Sequence, residues 1–139
     1  MKDPNKVKMG KKSRAAGKRF ELAVQKDLES RGSIVAKWTK NVDLGKKELV
    51  NNKPKFNPFT KGLMMNSGGF PDFIVYRESM LDGWKGYFQI YGVECKMNGK
   101  LDKLEKDKCR WLLDNSVFGK IRIAQKGDKR GEINYVEFK

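Results

Sequence analysis

The chain contains no histidine. That absence removes imidazole from the catalytic repertoire: no Ser-His-Asp triad, no histidine general base and no His-ligated zinc can be built. Any chemistry has to rest on carboxylates, lysine and metal-bound water. Cysteine is almost as scarce. Cys95 and Cys109 have neither the paired spacing of a zinc site nor the number that a disulfide framework needs. Both fall in apolar surroundings, which predicts buried thiols in a reducing compartment. No run approaches the length of a membrane span, and the Lys-rich start lacks the apolar stretch of a secretory signal. No basic amphipathic helix with an aromatic face is present to lie on a membrane surface.

Acid is the other shortage. Against 31 Lys and Arg there are 17 Asp and Glu, a net charge of +14 over 139 residues. Solubility alone does not require so large a surplus in so small a chain, and it points to a polyanionic partner, nucleic acid before membrane. The expected setting is the cytoplasm, on the nucleoid or as an intracellular phage protein. The length suits one domain with a real core, and neither an internal repeat nor a low-complexity linker divides it.

Residues 1–12 carry five lysines and little that can pack, and read as a mobile basic arm preceding a single domain over 13–139. Ser13 is a helix cap, the helix runs to about Arg31, and Gly32 stops it. Ala16, Phe20, Ala23, Val24 and Leu28 form its apolar stripe. Glu21 and Asp27 both lie at the edge of that stripe, and periodicity does not choose between them. Residues 33–39 read as a strand. Residues 40–69 show weak periodicity, contain Pro54 and Pro58, and interleave Phe56 and Phe59 with Lys53, Lys55 and Lys61. That mixture suits a long loop that grips a nucleic-acid backbone and stacks on bases. A surface flap with both aromatics pinned to the core is the plainer alternative. Strands are expected at 70–77 and 87–96. Asp102 then caps a helix to about Asp114, with Glu105 completing a capping box and Leu101, Leu104, Trp111 and Leu112 on its buried side. Two closing strands at 118–125 and 133–138 flank a turn at 127–131.

The chemistry concentrates in two short stretches, Pro71-Asp72 before an apolar run and Glu94-Cys95-Lys96 at the end of another. Alternation along a strand puts Glu94 and Lys96 on one face, with Val93 and Cys95 on the other. If the two strands pair, Asp72 and Glu94 converge. Paired carboxylates repel unless a hard cation lies between them, and Mg²⁺ suits such an oxygen site. A neighbouring lysine can hold a water or offset charge growing on a phosphate. The plainer alternative is a pair of strand-end acids bonding backbone amides.

Pro71-Asp72 with Glu94-Cys95-Lys96 resembles the PD-(D/E)XK nuclease superfamily, and the likeness extends from about Ser13 to Phe138. The first helix, Gly17-Lys18-Arg19-Phe20-Glu21-Leu22 through Glu29-Ser30-Arg31-Gly32, is similar to that of archaeal-type Holliday junction resolvases. The Gly99-Lys100-Leu101 turn and its following helix look like the VRR-NUC branch, except that no glutamine stands between 101 and 114. The resemblance implies a restriction-endonuclease-like α/β core: a central mixed sheet of about five strands flanked by helices, in the order α-β-β-β-α-β-β. It implies a Mg²⁺- or Mn²⁺-dependent endonuclease, most simply a junction resolvase, leaving 5′-phosphate and 3′-hydroxyl ends. Asp72, Glu94, Glu21 and the Cys95 main-chain carbonyl would hold one or two metal ions. Lys96 would act on water and phosphate, and Ser67, in the loop before the Asp strand, would assist. Lys18, Arg19, Lys53, Lys55, Lys61, Lys103, Lys106 and Lys108 are the expected contacts to branched DNA. Paired cuts would need a homodimer, and neither a membrane nor a small-molecule cofactor is expected. The alternatives are a VRR-NUC-like repair or flap nuclease, a small restriction or repair nuclease, and a non-catalytic nucleic-acid-binding module.

Overall fold

A computed structural model describes residues 3–52, 55–64 and 69–139. Its centre is a five-stranded mixed sheet built from β1 (Ile34–Lys37), β6 (Phe73–Glu78), β7 (Phe88–Cys95), β8 (Ile121–Lys126) and β9 (Ile133–Glu137), in that order across the sheet. Two helices accompany it, α1 (Pro4–Ser30) and α2 (Lys103–Asp114). β7 and β8 are parallel and the other neighbours antiparallel. Parallel neighbours need a crossover, and α2 supplies it.

Side-chain alternation divides the strands between two cores. Phe73, Val75, Tyr91, Val93 and Ala124 turn to α1 and meet Phe20, Val24 and Leu28. Ile74, Ile121 and Ile123 turn the other way and join Cys109 and Leu112 of α2, with Phe70, Val42 and Phe118. β7 is covered on both faces at its C-terminal half, which is why it reads as a nearly continuous apolar run. At its other end Phe88 and Ile90 are exposed beside Tyr76.

Helix starts and stops follow local chemistry. Asp102 accepts from the Glu105 backbone N–H at 2.8 Å while Glu105 accepts from the Asp102 N–H at 3.1 Å, so the expected capping box is present. Gly32 follows the end of α1, where the Ser33 N–H bonds the Leu28 carbonyl and the Gly32 N–H that of Glu29, a Schellman closure. The start of α1 differs from expectation. Ser13 is not the cap: Asp3 is, accepting from the Asn5 N–H at 2.9 Å, and residues 4–12, read as an arm, form the first turns of the helix. Pro4 suits the first helical position, and the lysines that cannot pack stay exposed on a good helix former's backbone.

The loop expected over 40–69 also carries secondary structure. β2 (Lys40–Asp43) pairs with β3 (Glu48–Asn51), and β4 (Lys55–Asn57) with β5 (Gly62–Met64). Strands of three or four residues are too short to display alternation, so they escaped the periodicity reading. Their turns rest on Asx chemistry. Asp43 accepts from the Lys46 N–H and Asn57 from the Phe59 N–H, while Lys47 and Lys61 adopt positive φ. The element order is therefore α-β, two hairpins, then β-β-α-β-β. Among the described residues no helix is long and apolar enough to cross a membrane.

Two expected core residues are misplaced by the stripe reading. Ala23 is exposed, and Leu104 is 54 % exposed, because α2 presents Cys109 and Leu112 to the sheet and turns Leu104 outward. This contrast is testable. Leu112→Ala should cost about 2–5 kcal/mol through lost burial and a residual cavity, whereas Leu104→Ala should stay within about 0.5 kcal/mol. Urea unfolding of both variants decides it, and equal losses would refute the placement of α2.

Candidate active site

The ladder between β6 and β7 pairs Phe73 with Val93, so one step further Asp72 stands opposite Glu94. Both side chains fall on the α2 face of the sheet. The segment leading into Asp72 is held tightly. The Phe70 N–H bonds the Lys40 carbonyl at 2.9 Å, and the Trp38 N–H bonds the Asp72 carbonyl at 3.1 Å. Two glycines permit this approach. A Cβ on Gly69 would lie 1.7 Å from the Trp38 carbonyl oxygen, and one on Gly92 2.7 Å from Cγ of Pro71. At Gly69 the missing side chain serves close backbone contact.

The two carboxylates are laced into the backbone reciprocally. The Cys95 N–H donates to Oδ2 of Asp72 at 2.8 Å, and the Asp72 N–H donates to Oε2 of Glu94 at 3.1 Å. The plainer sequence alternative, strand-end acids on backbone amides, is thus part of the arrangement. It does not exhaust it, because the two carboxyls also hydrogen-bond each other through their side chains, which calls for a proton between them.

The electrostatics are those of a buried like-charge pair. Glu94 is 6 % exposed, and burial followed by the charges of Asp72 and Glu105 pushes its carboxyl up to about 9. Burial likewise pushes Asp72 to about 6 against the Cys95 N–H bond, with the Glu21 charge adding to the rise. Burial also raises both thiols, Cys95 and Cys109, in keeping with inert cysteines.

Lys96 emerges from the same strand end, and its Nζ lies 2.6 Å from Oε2 of Glu105. Burial works against its charge, but the Glu105 hydrogen bond and the charges of Glu105, Glu94 and Asp102 outweigh it and raise the ammonium. Glu105 is the residue that sequence reasoning missed here. It was read only as a helix cap; its spacing from Asp102 was visible, but its reach to Lys96 depends on how α2 docks. It caps α2 with one oxygen, Oε1, and grips Lys96 with the other.

Glu21 comes from α1, on the other face of the sheet from the two acids, and is near enough for its charge to act on Asp72. It lines a cavity of about 460 Å³ together with Cys95, Lys96 and Lys100. Asp27, the other acid at the stripe's edge, is engaged elsewhere: it accepts from the Tyr135 hydroxyl at 2.6 Å and pairs with Arg31 at 3.1 Å. Glu21 does not form a three-acid cluster with Asp72 and Glu94; among the described residues no three His, Cys, Asp or Glu side chains are grouped closely enough to hold a metal.

The expected nucleic-acid contacts are dispersed. Lys18, Arg19, Lys61, Lys103 and Lys106 are exposed, and Lys108 lies 5.6 Å over the ring of Phe70, two residues before Asp72. Phe56 and Phe59 are 63 % and 95 % exposed, so neither is pinned to the core. Lys53 and Ser67 lie outside the described residues, and of Lys55 only the backbone is described.

No family model matches this chain, and no curated protein or solved structure matches it either. The candidate site therefore rests on its own geometry.

An oxygen-only donor set fits that geometry. Two opposed, desolvated carboxyls that hydrogen-bond each other need a proton between them, and a cation can take that proton's place. Asp72 and Glu94 would hold the ion, with the Cys95 carbonyl beside them, and the remaining positions would fall to water and substrate, as Mg²⁺ prefers. In the metal-free protein the same pair predicts a pH dependence. Glu94 lies well above its ordinary 4.5, so the folded chain binds more protons than the unfolded chain between about 4.5 and about 9. Stability then falls as pH rises through that window. Glu94→Gln removes this titration, so in chelator the variant should lose less stability than the wild type between pH 5 and 9 on the scale set by about 4.5 and about 9. Chemical denaturation across the window measures the difference, and parallel curves would show that Glu94 is not held protonated.

Proposed function

We propose that the protein is a Mg²⁺- or Mn²⁺-dependent endonuclease acting on branched DNA, a Holliday junction resolvase on a restriction-endonuclease-like fold. The observation that carries this reading is the facing of two buried carboxyls, Asp72 and Glu94, across the β6–β7 ladder beside Lys96. A bound divalent ion would supply Lewis acidity toward a phosphate oxygen and a water of lowered pKa.

The chain's own residues then do the following. Asp72 and Glu94 fix the ion's place, because their backbone hydrogen bonds lock both side chains. Glu105 holds the Lys96 ammonium charged and oriented until a phosphate arrives to compete for it. Lys96 then offsets charge developing on the scissile group. Glu21, in the cavity with Lys96, would add negative charge near Asp72 and so favour a cation at the pair. Exposed Phe56 and Phe59 suit stacking on unpaired bases at a branch, and the net charge of +14 supplies long-range attraction. Paired cuts at a junction call for two copies of the chain, so the active species in this reading is a homodimer.

The test uses a labelled four-way junction beside matched duplex, flap and single-stranded DNA. Symmetric nicks in the junction are expected with Mg²⁺, none with chelator, and binding without turnover in Ca²⁺. Asp72→Asn, which can still accept from the Cys95 N–H, should lower cleavage by at least about 10²-fold while junction affinity persists. Cleavage of flaps with the junction spared would move the protein to a repair nuclease. Binding that survives with no cleavage of any substrate would make it a nucleic-acid-binding module.

A further inference from the structure

A second cavity opens beside the candidate site. It measures about 440 Å³ and lies between α1 and the turn joining β8 to β9. It shares Phe20 and Met97 with the cavity that holds Glu21 and Lys96, so the two adjoin. Its floor is apolar: Ala16, Phe20, Met97 and Ile133. Its rim is cationic, with Arg19 on one side and Lys126, Lys129 and Arg130 on the other. Among the described residues none of these four cations has a carboxylate within 4.0 Å.

The turn is built to present them. The Lys126 N–H bonds the Met97 carbonyl at 3.1 Å, which ties the turn to the strand end that carries Lys96. The Gly127 N–H bonds the Glu132 carbonyl at 2.8 Å and the Glu132 N–H bonds that of Lys129 at 3.1 Å. The Glu132 carboxylate accepts from the Lys129 backbone N–H at 3.0 Å and so braces the turn; with Asp128 it offsets two of the four rim charges and leaves the rim net positive. Asp128 is the other acid of the cavity and is exposed.

We propose that this groove seats one strand of DNA as it leaves the candidate site, with Arg19, Lys126, Lys129 and Arg130 on phosphates and the apolar floor against a base or sugar. The inference rests on the nucleic-acid reading but not on cleavage. A charged rim alone would suit any polyanion; an apolar floor beneath it suits a polymer that alternates anion with planar apolar surface. None of Lys126, Lys129 and Arg130 belongs to the contacts expected from sequence.

The experiment is a salt titration of labelled oligodeoxythymidylate binding in Ca²⁺, for the wild type, Lys129→Ala/Arg130→Ala, and a control of equal charge loss, Lys85→Ala/Lys139→Ala, outside the groove. The groove variant should bind roughly ten-fold more weakly at low salt, with a log–log slope shallower by about 1.4, two phosphates at about 0.7 each. The control should keep the wild-type affinity within about two-fold and its slope. In parallel, acetylation mapped by mass spectrometry should show Lys126 and Lys129 protected in the wild-type complex, a readout that needs no variant to fold. Wild-type binding with the groove variant unchanged and Lys129 unprotected overturns the groove alone. A wild type that binds the four-way junction but no oligonucleotide overturns the groove alone, and one that binds neither overturns both the groove and the proposed function. Groove-dependent binding without any cleavage leaves the groove standing and removes the nuclease. Polyglutamate competing as well as the oligonucleotide overturns the nucleotide assignment.

Discussion

Two carboxylates set face to face across a β-ladder, in a site largely shut off from water, repel each other and resist ionisation, and much of the surrounding structure exists around that arrangement. Asp72 and Glu94 are opposed because the β6–β7 register opposes them, and each is locked by an amide from the other's strand. Desolvation is the larger effect on both, with mutual repulsion adding to it for Glu94. A buried pair of this kind is costly by itself. It becomes reasonable where a cation, a proton or an incoming ligand completes it, and strongly perturbed carboxyls in a cleft are the usual mark of such a place.

The elements around the pair each contribute one property. Gly69 and Gly92 let the Pro71-Asp72 segment descend onto β7. α2, fixed by Cys109 and Leu112 in the lower core, brings Glu105 to Lys96. α1, fixed by Phe20, Val24 and Leu28 in the other core, brings Glu21 to the rim and Arg19 to the adjacent groove. The β8–β9 turn, hung from the Met97 carbonyl, adds cations on the far side. Positive charge thus lies along α1 and the β8–β9 turn next to the strand end that carries Lys96.

Sequence patterning located the five sheet strands and both helices; the longer elements carry enough residues for alternation or a helical stripe to stand out, while β1, of four residues, stood out as the apolar Ile34-Val35-Ala36 run just after the helix stop at Gly32. It failed on residues 40–69, where hairpin strands of three or four residues depend on Asx turns and positive φ at Lys47 and Lys61. It failed on the start of α1, where a lysine-rich surface helix has no apolar stripe to announce it. It also failed on Leu104, since a stripe gives the angle of a face but not how far along the helix the contact extends.

What the sequence determined by itself was chemical: with no histidine and with Asp72, Glu94 and Lys96 in strand contexts, the chemistry available is that of carboxylate, lysine and oxygen-bound cation. Strand alternation also settled which of these share a face. The choice between Glu21 and Asp27 was left to tertiary structure, where Tyr135 and Arg31 claim Asp27. So was the second role of Glu105, and so was the gathering of Arg19 with Lys126, Lys129 and Arg130 around one cavity. These pairings join residues far apart in the chain, and their spacing in sequence carries no trace of a distance that only the docking of helices on the sheet creates.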